Sequence, residues 1–540
     1  MKKRVVTLLL MLVGFSTFVC ADYDIEILKA NLKQRGNKMK SFSGIENDYI
    51  YINNTEEETG DTDKKKSKKS ETDALMCIGK NGKIAYEMTV VHPDDAEFMA
   101  AFEGDNQLML IYHQDKGKED MILVNRVDKR NVAPEWNPEL LMYVKAKKKD
   151  HLQYDISPAK SHFVVGEASR KSKKDNYTLN IATLDRMGKK CYEQNQPLSY
   201  IYNKVYFFDI AINNDGITYC SLFNYDKKTR SSSVYIYSLN GTDCREYTHN
   251  IGVSWYFNYP FYSTATQSGG FVLAGVSSNK ESTLFYLTSP DAELQRKVDA
   301  FDDKAKNAIE SSFSNMYDSS SPVIDGKWIE THGLHQLEDG SYAVISESWG
   351  KAHHITVKTT TSTYKDKDGK THTSTYQTQE NDNYVHWSGN IVVAIYDSNF
   401  NLKEYKVCSK FQQKRTGTSS ERTGKNLFYR GDVSILDALS HKSFIDGNKL
   451  KLLYYINDGQ EYWNLCTIQQ NKDNTIEKAI EYSKGDFKIR DVNFAYKDYW
   501  VVHLYGENKK RRNDLSILRL HSKDDESEQT DVTDESPELF

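Results

Sequence analysis

The sequence predicts an all-β protein in which one small antiparallel sheet is repeated along the chain. The 540 residues include 36 tyrosines and 22 phenylalanines but only 9 prolines, and aromatic residues are enriched in strands while proline is depleted there. A recurring pair of apolar segments, and the regular spacing of the turns that end them, also predict strands in a repeated sheet. Composition therefore favours strands over disorder.

The clearest copies of the repeat lie in residues 268–297 and 338–407. The first reads SGGFVLAGVSS and then TLFYLTSPDAELQRKV, and the second reads EDGSYAVISESWG and then IVVAIYDSNFNLKEYKV. Each copy has two apolar, β-branched segments, and the second segment ends in an Asn, Asp or Gly turn that leads to a further strand. This pattern predicts one antiparallel sheet per copy.

Six weaker copies bring the number to eight. The turns that end the second segment lie mostly about 50 residues apart, at Asn81, Asp128, Asp185, Asn240, Asp291, Asp397, Asp473 and Asp524. Closing repeated sheets into a ring leaves only short, protected strand edges. We therefore expect a β-propeller of eight blades, or of seven if the first and last copies share a blade, with a strand in residues 23–32 completing the last sheet.

The repeat resembles that of exported bacterial β-propeller proteins, which reads roughly D-G-G-Y-V-V-A-G, a variable loop, and then L-I-K-L-D-S-N-G-N. The resemblance covers most of residues 48–520 as a pattern and implies a propeller fold, and we expect the propeller domain to occupy residues 22–520. It implies little about function, because propellers of this kind serve many roles.

Several segments fall outside the repeat. The sequence predicts a mobile loop at 54–73, a helical insertion at 291–317, a long β-hairpin at 351–387, an irregular insertion at 409–440 and an acidic disordered tail at 521–540. The helix follows from Leu294, Val298, Phe301, Ala305 and Ile309, which recur at three- and four-residue steps. The hairpin follows from two Thr-rich runs on either side of Asp368 and Gly369, and we expect it to contact a partner.

The amino-terminal residues predict export. Basic residues 2–4 precede an apolar stretch at 5–19, and Val19 and Ala21 fit cleavage before Asp22, so residues 1–21 read as a signal peptide. The expected location is periplasmic or secreted; lipidation at Cys20 is the alternative. No membrane insertion is expected once the signal is removed. The formal net charge of −5 gives no basic excess for a nucleic acid partner.

The best candidate for a ligand-binding surface is the aromatic stretch SWYFNYPFY at 254–262. A strand would place alternate residues on opposite sides, so some rings are expected to be exposed and able to stack on a sugar or a peptide. The candidate residues are Trp255, Tyr256, Tyr259 and Tyr262. An aromatic packing cluster between blades is the alternative.

Motifs for catalysis or metal binding are weak. The sequence has no GxSxG, HExxH or P-loop, and its cysteines lack zinc-binding spacing. His353, His354 and His386 can converge near the hairpin base, whereas His372, expected opposite Thr363, lies too far along the ribbon. We expect neither a metal nor a cofactor.

The sequence thus predicts an exported, non-catalytic propeller that binds or scaffolds a glycan, a peptide or an envelope protein. The alternative is a polysaccharide hydrolase or lyase with carboxylates at the mouth of the propeller. Ligand identity and oligomeric state stay open.

Overall fold

The computed structural model describes most of the chain, with gaps. The described residues are 23–32, 39–52, 72–79, 83–117, 120–129, 131, 133–145, 152–170, 175–198, 205–226, 231–252, 261–277, 279–314, 323–416, 441–457, 461–479, 487–496, 499–506 and 514–522. The predicted signal peptide, nearly all of the predicted mobile loop and nearly all of the acidic tail lie outside these ranges.

Seven sheets are each formed by strands that are consecutive in the chain. The first three contain β2 Met39–Ser43, β3 Asn47–Ile52, β4 Thr72–Gly79 and β5 Ile84–Val91; β6 Ala96–Glu103, β7 Gln107–Asp115, β8 Asp120–Asp128 and β9 Glu139–Val144; and β10 Leu152–Ile156, β11 His162–Ser169, β12 Thr178–Asp185 and β13 Lys190–Pro197. The next two contain β14 Val205–Ile212, β15 Thr218–Asp226, β16 Ser231–Leu239 and β17 Cys244–Gly252; and β18 Tyr262–Ala265, β19 Phe271–Ser277, β20 Glu281–Leu287 and β21 Gln295–Ala300.

The sixth of these sheets carries the long hairpin, and the seventh follows it in the chain. The hairpin sheet contains β22 Val323–Gln336, β23 Tyr342–Lys365, β24 Thr371–Tyr396 and β25 Leu402–Cys408, and a short strand, β26 Gln412–Thr416, also pairs with β24. The neighbouring sheet contains β27 Lys442–Asp446, β28 Lys449–Asn457, β29 Glu461–Ile468 and β30 Thr475–Ala479.

An eighth sheet joins the two ends of the chain. It contains β31 Phe487–Tyr496, β32 Tyr499–Gly506 and β33 Asp514–Ser522, and its outermost strand is β1 Tyr23–Leu32, which pairs antiparallel with β33. Strand β31 contacts both β27 and β2, so this composite sheet lies between the last and the first of the other seven. The all-β propeller class is confirmed. The described strands form eight sheets in all: seven of consecutive strands, and an eighth that β1 completes as the predicted closing strand.

Each copy of the sequence repeat forms the two central strands of one sheet. The turn that ends the second of these strands is stabilised by its own side chain: Asp185 Oδ1 accepts the backbone N–H groups of Met187 and Lys189, and Asp397 Oδ1 does the same for Asn399 and Asn401. Asp and Asn bond the backbone of their own turn in this way. This chemistry explains why the turns could be predicted from the sequence.

Antiparallel pairing places the connections at two opposite ends of the propeller. The turns after the first and third strands of every sheet lie at one end, and the connections after the second and fourth strands lie at the other. The long segments 53–71, 253–261, 301–322 and 409–441, and the tip of the β23–β24 hairpin, are all connections of the second kind. The described strand ends that flank these segments therefore all lie at one end of the molecule.

The predicted helical insertion is shorter than expected. Of its described residues, 291–314, those of α1, Asp303–Ser314, are helical, while Val298 lies in strand β21 and pairs with Thr283. Asp302, just before the helix, acts as its capping residue, because its Oδ1 accepts the N–H of Ala305 at 2.7 Å. Ala305 and Ile309 of the predicted spacing do face the core from this helix, whereas Val298 is exposed on the preceding strand. Within the described ranges, the chain has no helix of sufficient length and apolarity to cross a membrane.

Candidate functional site

The β23–β24 hairpin is the most prominent insertion among the described residues. Its ladder continues from the sheet to a turn at residues 366–370, where Asp366 accepts the N–H of Gly369 at 3.0 Å. Gly369 has a φ of +76°, which suits glycine. His372 pairs with Tyr364 and not with Thr363 as expected, because the loop contains five residues.

The outer part of the hairpin has two chemically different faces. On one face Tyr364 stacks on His372 with ring centroids 5.2 Å apart, and Tyr376 lies on the same face opposite Thr360. The exposed fractions of Tyr364 and Tyr376 are 60% and 53%. The other face carries cross-strand threonine pairs, such as Thr361 with Thr375. The aromatic side chains of the outer hairpin are thus exposed on one face, and the threonine pairs lie on the other.

The base of the hairpin is closely packed. Trp349 and Trp387 are each 1% exposed. The ring of Trp387 covers Gly350, and a Cβ placed there would lie 1.6 Å from a carbon of that ring. A glycine is required at this position because the indole occupies the space of any side chain.

A bulge beside these tryptophans turns Asn390 towards the helix. The register shifts between Glu347 and Trp349, and such a shift bends a strand and redirects side chains. Asn390 then donates from Nδ2 to Ala308 O at 2.7 Å, and its Oδ1 accepts the N–H of Lys410 at 2.9 Å. Helix α1 and the segment that leads into β26 are thereby attached to the same residue of β24.

Around Glu347, on the opposite strand of the hairpin base, lies a mostly buried group of polar side chains from several elements. We call it the anchor cluster: Glu347, Ser388, Lys410, His441 and His332. Both Ser388 and Lys410 donate to Glu347 Oε1, and Lys410 also donates to Ser388. His441 Nδ1 lies 3.1 Å from Glu347 Oε2. The cluster joins the hairpin sheet to the segment just before β27, so it links two neighbouring blades.

The hydrogen bonds fix the tautomers of the two histidines. The indole N–H of Trp349 can only donate, so His332 Nε2, at 2.7 Å, must accept. The ring proton of neutral His332 is then on Nδ1, which lies 3.8 Å from Glu347 Oε2. Since a carboxylate only accepts, His441 donates to Glu347 from Nδ1.

The anchor cluster contains three side chains of metal-ligating type at metal-like spacing, two imidazoles and one carboxylate. The ligand atoms of His332, Glu347 and His441 lie within 4.8 Å of one another. A metal would need a lone pair on His332 Nδ1, but Nε2 already accepts from Trp349, so this ring would have to lose both protons. Lys410 moreover places an ammonium on the same carboxylate. The donor arrangement fits a hydrogen-bonded ion pair better than a metal centre.

Burial and charge shift the pKa values of these groups. Burial alone would raise the pKa of Glu347, but the ammonium of Lys410, with His441 and His332, holds it well below its ordinary value. Burial lowers the pKa of His441 to about 4 although its bond to Glu347 opposes the shift. Burial also lowers the pKa of Lys410, against the attraction of Glu347. Glu347 is therefore ionised and His441 neutral at pH 7.

Carboxylates on two inner strands form a second group of interest. Asp155 on β10 accepts the N–H of Ile212 on β14 at 3.0 Å, and Asp209 on β14 accepts the hydroxyl of Ser263 on β18 at 3.0 Å. Burial and the negative charge of Asp209 raise the pKa of Asp155 to about 7. These side chains tie successive inner strands together, and Asp155 alone combines that position with a pKa suited to acid–base chemistry.

The predicted aromatic site is only partly described. Trp255, Tyr256 and Tyr259 lie outside the described residues, and Tyr262 is the first, half-buried residue of inner strand β18. The neighbouring Phe261 is 1% exposed and packs against Phe223 and Phe285. Binding by Trp255, Tyr256, Tyr259 and Tyr262 stays a prediction.

Sequence reasoning missed the anchor cluster. Its members come from five separate strands and loops, and no short motif contains more than two of them. The one available signal was Glu347 itself, a charged residue in the apolar first segment of a repeat copy.

Comparison with solved structures gives distant likenesses. A prolyl endopeptidase is 9% identical with a TM-score of 0.33, and the match covers 84% of this chain and 55% of that one. The β-propeller domain of the Trilobed protease from Pyrococcus furiosus is 10% identical with a TM-score of 0.29, covering 78% and 95%. A member of the DUF4221 family from Bacteroides vulgatus is 10% identical with a TM-score of 0.30, covering 86% and 98%.

The chain thus spans little more than half the length of the endopeptidase. No protein-family model matches the sequence, and a search of curated proteins finds no significant match. At these TM-scores and identities the likenesses support no conclusion about activity, and the fold is described from the strands of this chain alone.

Proposed function

We propose that the protein is an exported, non-catalytic β-propeller that binds a glycan, a peptide or an envelope protein through the tip of its β23–β24 hairpin. The observation that carries this proposal is the exposed aromatic face of Tyr364, His372 and Tyr376 on a ribbon whose base is fixed. An isolated two-stranded ribbon is marginally stable in water. Here the anchor cluster, helix α1 and β26 hold the base, so the tip is presented in one orientation.

The chemistry of the anchor cluster supports binding over catalysis. Glu347, Lys410 and His441 are almost wholly buried and satisfy one another. A general acid needs a raised carboxyl pKa, whereas the pKa of Glu347 is lowered. The cluster is suited to holding the hairpin in place.

The test compares two double variants on opposite faces of the ribbon. Tyr364→Ser with Tyr376→Ser removes the aromatic face, and Thr361→Ser with Thr375→Ser is the matched control on the other face. Binding is measured by affinity electrophoresis against a panel of soluble polysaccharides and by capture of partners from an envelope extract. We expect the tyrosine variant to lose binding at least about tenfold and the control to retain it. Equal binding by both variants would show that the aromatic face is not the contact surface.

A polysaccharide hydrolase or lyase is the second candidate, and Asp155 favours it because its pKa of about 7 suits proton transfer. The assay is the release of reducing or unsaturated sugar ends from the same polysaccharides. Turnover that Asp155→Asn abolishes, in a variant that stays folded, would favour the enzyme. Binding without product release would favour the proposed binding function.

A further inference from the structure

Two cysteines from neighbouring blades lie in contact. Cys408 is the last residue of β25 in the hairpin sheet, and Cys466 lies in β29 of the neighbouring sheet. Their Sγ atoms are 2.9 Å apart although the residues are 58 positions apart in sequence. From this contact we infer that Cys408 and Cys466 form a disulfide that joins the two blades. The inference does not depend on the proposed function.

The surroundings of the pair favour a structural cross-link. Both thiols are fully buried, in an apolar cluster that both sheets supply and that includes Ile345, Val393 and Leu452. A bond formed in this core is shielded from reductants. Closing a loop of this length reduces the freedom of the unfolded chain.

The chemistry also indicates when the bond forms. The contact with Cys466 and burial raise the pKa of Cys408 well above its ordinary value, and the thiolate is the reactive form. The folded protein therefore suppresses the reaction, so the bond should form while the two strands are still accessible during folding.

The reaction needs a disulfide as oxidant, either a small-molecule disulfide or a thiol–disulfide oxidoreductase. One cysteine thiolate attacks the oxidant and releases half of it as a thiol, which gives a mixed disulfide. The second cysteine, as its thiolate, then attacks this intermediate and releases the other half. Two electrons pass to the oxidant, the protons of Cys408 and Cys466 are transferred to its two sulfurs, and one sulfur–sulfur bond remains in the protein.

The experiment refolds the full chain in a glutathione redox buffer and, in parallel, with a reductant. Remaining thiols are alkylated in denaturant and the peptides are mapped by mass spectrometry. We expect a linked peptide pair containing Cys408 and Cys466 in the oxidised sample only, together with a higher midpoint of thermal unfolding. Cys191 is exposed, so its glutathione adduct shows that the oxidant was active.

Variants separate the cross-link from general effects of oxidation. Cys408→Ser should give the same unfolding midpoint with and without oxidant, whereas Cys220→Ser, which removes a buried thiol in another sheet, should keep both the linked peptide and the shift. Full alkylation of Cys408 and Cys466 in oxidised wild-type protein that carries the Cys191 adduct would overturn the inference. That mapping uses the wild type alone, so a variant that fails to fold leaves the inference testable.

Discussion

At the scale of single residues, the carboxylate of Glu347 connects parts of the chain that are far apart in sequence. It accepts from Ser388 on β24, from Lys410 before β26 and from His441 before β27. The buried pair of Glu347 and Lys410 costs desolvation energy, so it need not add stability relative to apolar residues. Its role is to specify one arrangement of the hairpin base.

We expect Glu347→Gln to lower the free energy of unfolding by about 3–5 kcal/mol, because it leaves the ammonium of Lys410 buried without its counter-charge. The control is the double variant Glu347→Gln with Lys410→Met, which removes both charges and should recover most of the loss. Urea unfolding at pH 7 measures both. A double variant as unstable as the single one would contradict the ion-pair account.

Two histidines of this blade junction, the half-buried His335 and the buried His441, predict how stability depends on pH. Burial lowers the pKa of His335 and of His441 to about 4, below the value in an unfolded chain. Between those values the unfolded state binds protons that the folded state does not, so stability falls as pH falls. We expect each histidine to account for a loss of about 2 kcal/mol between pH 7 and pH 5.

The check is urea unfolding at pH 7 and pH 5 for the wild type and for His335→Gln, which removes one titrating group. The variant should show a smaller difference between the two pH values. The same difference as in the wild type would mean that His335 is not responsible. Ser443, whose hydroxyl lies 2.9 Å from His335 Nε2, offers Ser443→Ala as a control that keeps the histidine.

Residues of the candidate site were the least predictable part of the molecule. Apart from the charge of Glu347, the sequence around Trp349 and Gly350 is that of an ordinary repeat copy. The partners Lys410 and His441 could not be predicted because they come from a segment with no periodic pattern. Contacts between blades depend on how sheets pack, and local sequence does not encode that packing.

At the scale of elements, the hairpin was predictable and its anchoring was not. Alternating threonines and the Asp–Gly turn indicate a two-stranded ribbon from local sequence alone. The bulge at Asn390 and the pairing of β26 with residues 384–388 of β24 arise from tertiary contacts. The apolar spacing at 291–317 misled because only its later residues, Phe301, Ala305 and Ile309, belong to one core cluster, whereas Val298 is 41% exposed on strand β21.

We expect Gly350→Ala to displace Trp387 and to lower stability by about 1–3 kcal/mol, the usual cost of overpacking. Displacing the indole should also loosen the hairpin base, so protease cleavage in the Thr-rich runs should become faster. Gly369→Asn is the matched control, since nothing lies within 4 Å of a Cβ at that turn and Asn tolerates positive φ. Thermal unfolding and limited proteolysis of both variants measure the difference.

If Gly350→Ala and Gly369→Asn changed stability and cleavage equally, close packing against Trp387 would not be what fixes the hairpin. Faster cleavage in Gly369→Asn alone would place the weak point at the turn and not at the base.

At the scale of the whole molecule, the repeat made the ring predictable. Eight copies of one strand pair, with turns at a regular interval, specify repeated sheets, and repeated sheets need closure to protect their edges. The outer strands of the sheets, and the way in which the two ends of the chain pair, were harder to predict, because a single edge strand has little sequence pattern. Only β1, in residues 23–32, could be assigned from sequence as the closing strand.

Closure of the ring by β1 can be tested by deletion. Strand β1 pairs with β33 from Tyr23 opposite Ser522 to Leu32 opposite Leu515. Deleting residues 22–33 therefore leaves β33 paired with β32 on one side and without a neighbouring strand on the other. We expect the deletion to lower the midpoint of thermal unfolding by on the order of 5 °C and to increase aggregation, since exposed edges pair with other chains. The control is a circular permutant that joins residue 522 to residue 23 by a short Gly-Ser linker and opens the chain in the polar segment 54–71. It removes the original termini but keeps β1 beside β33, and it should unfold close to the wild type. A deletion variant as stable as the permutant would mean that the ring does not depend on strand β1.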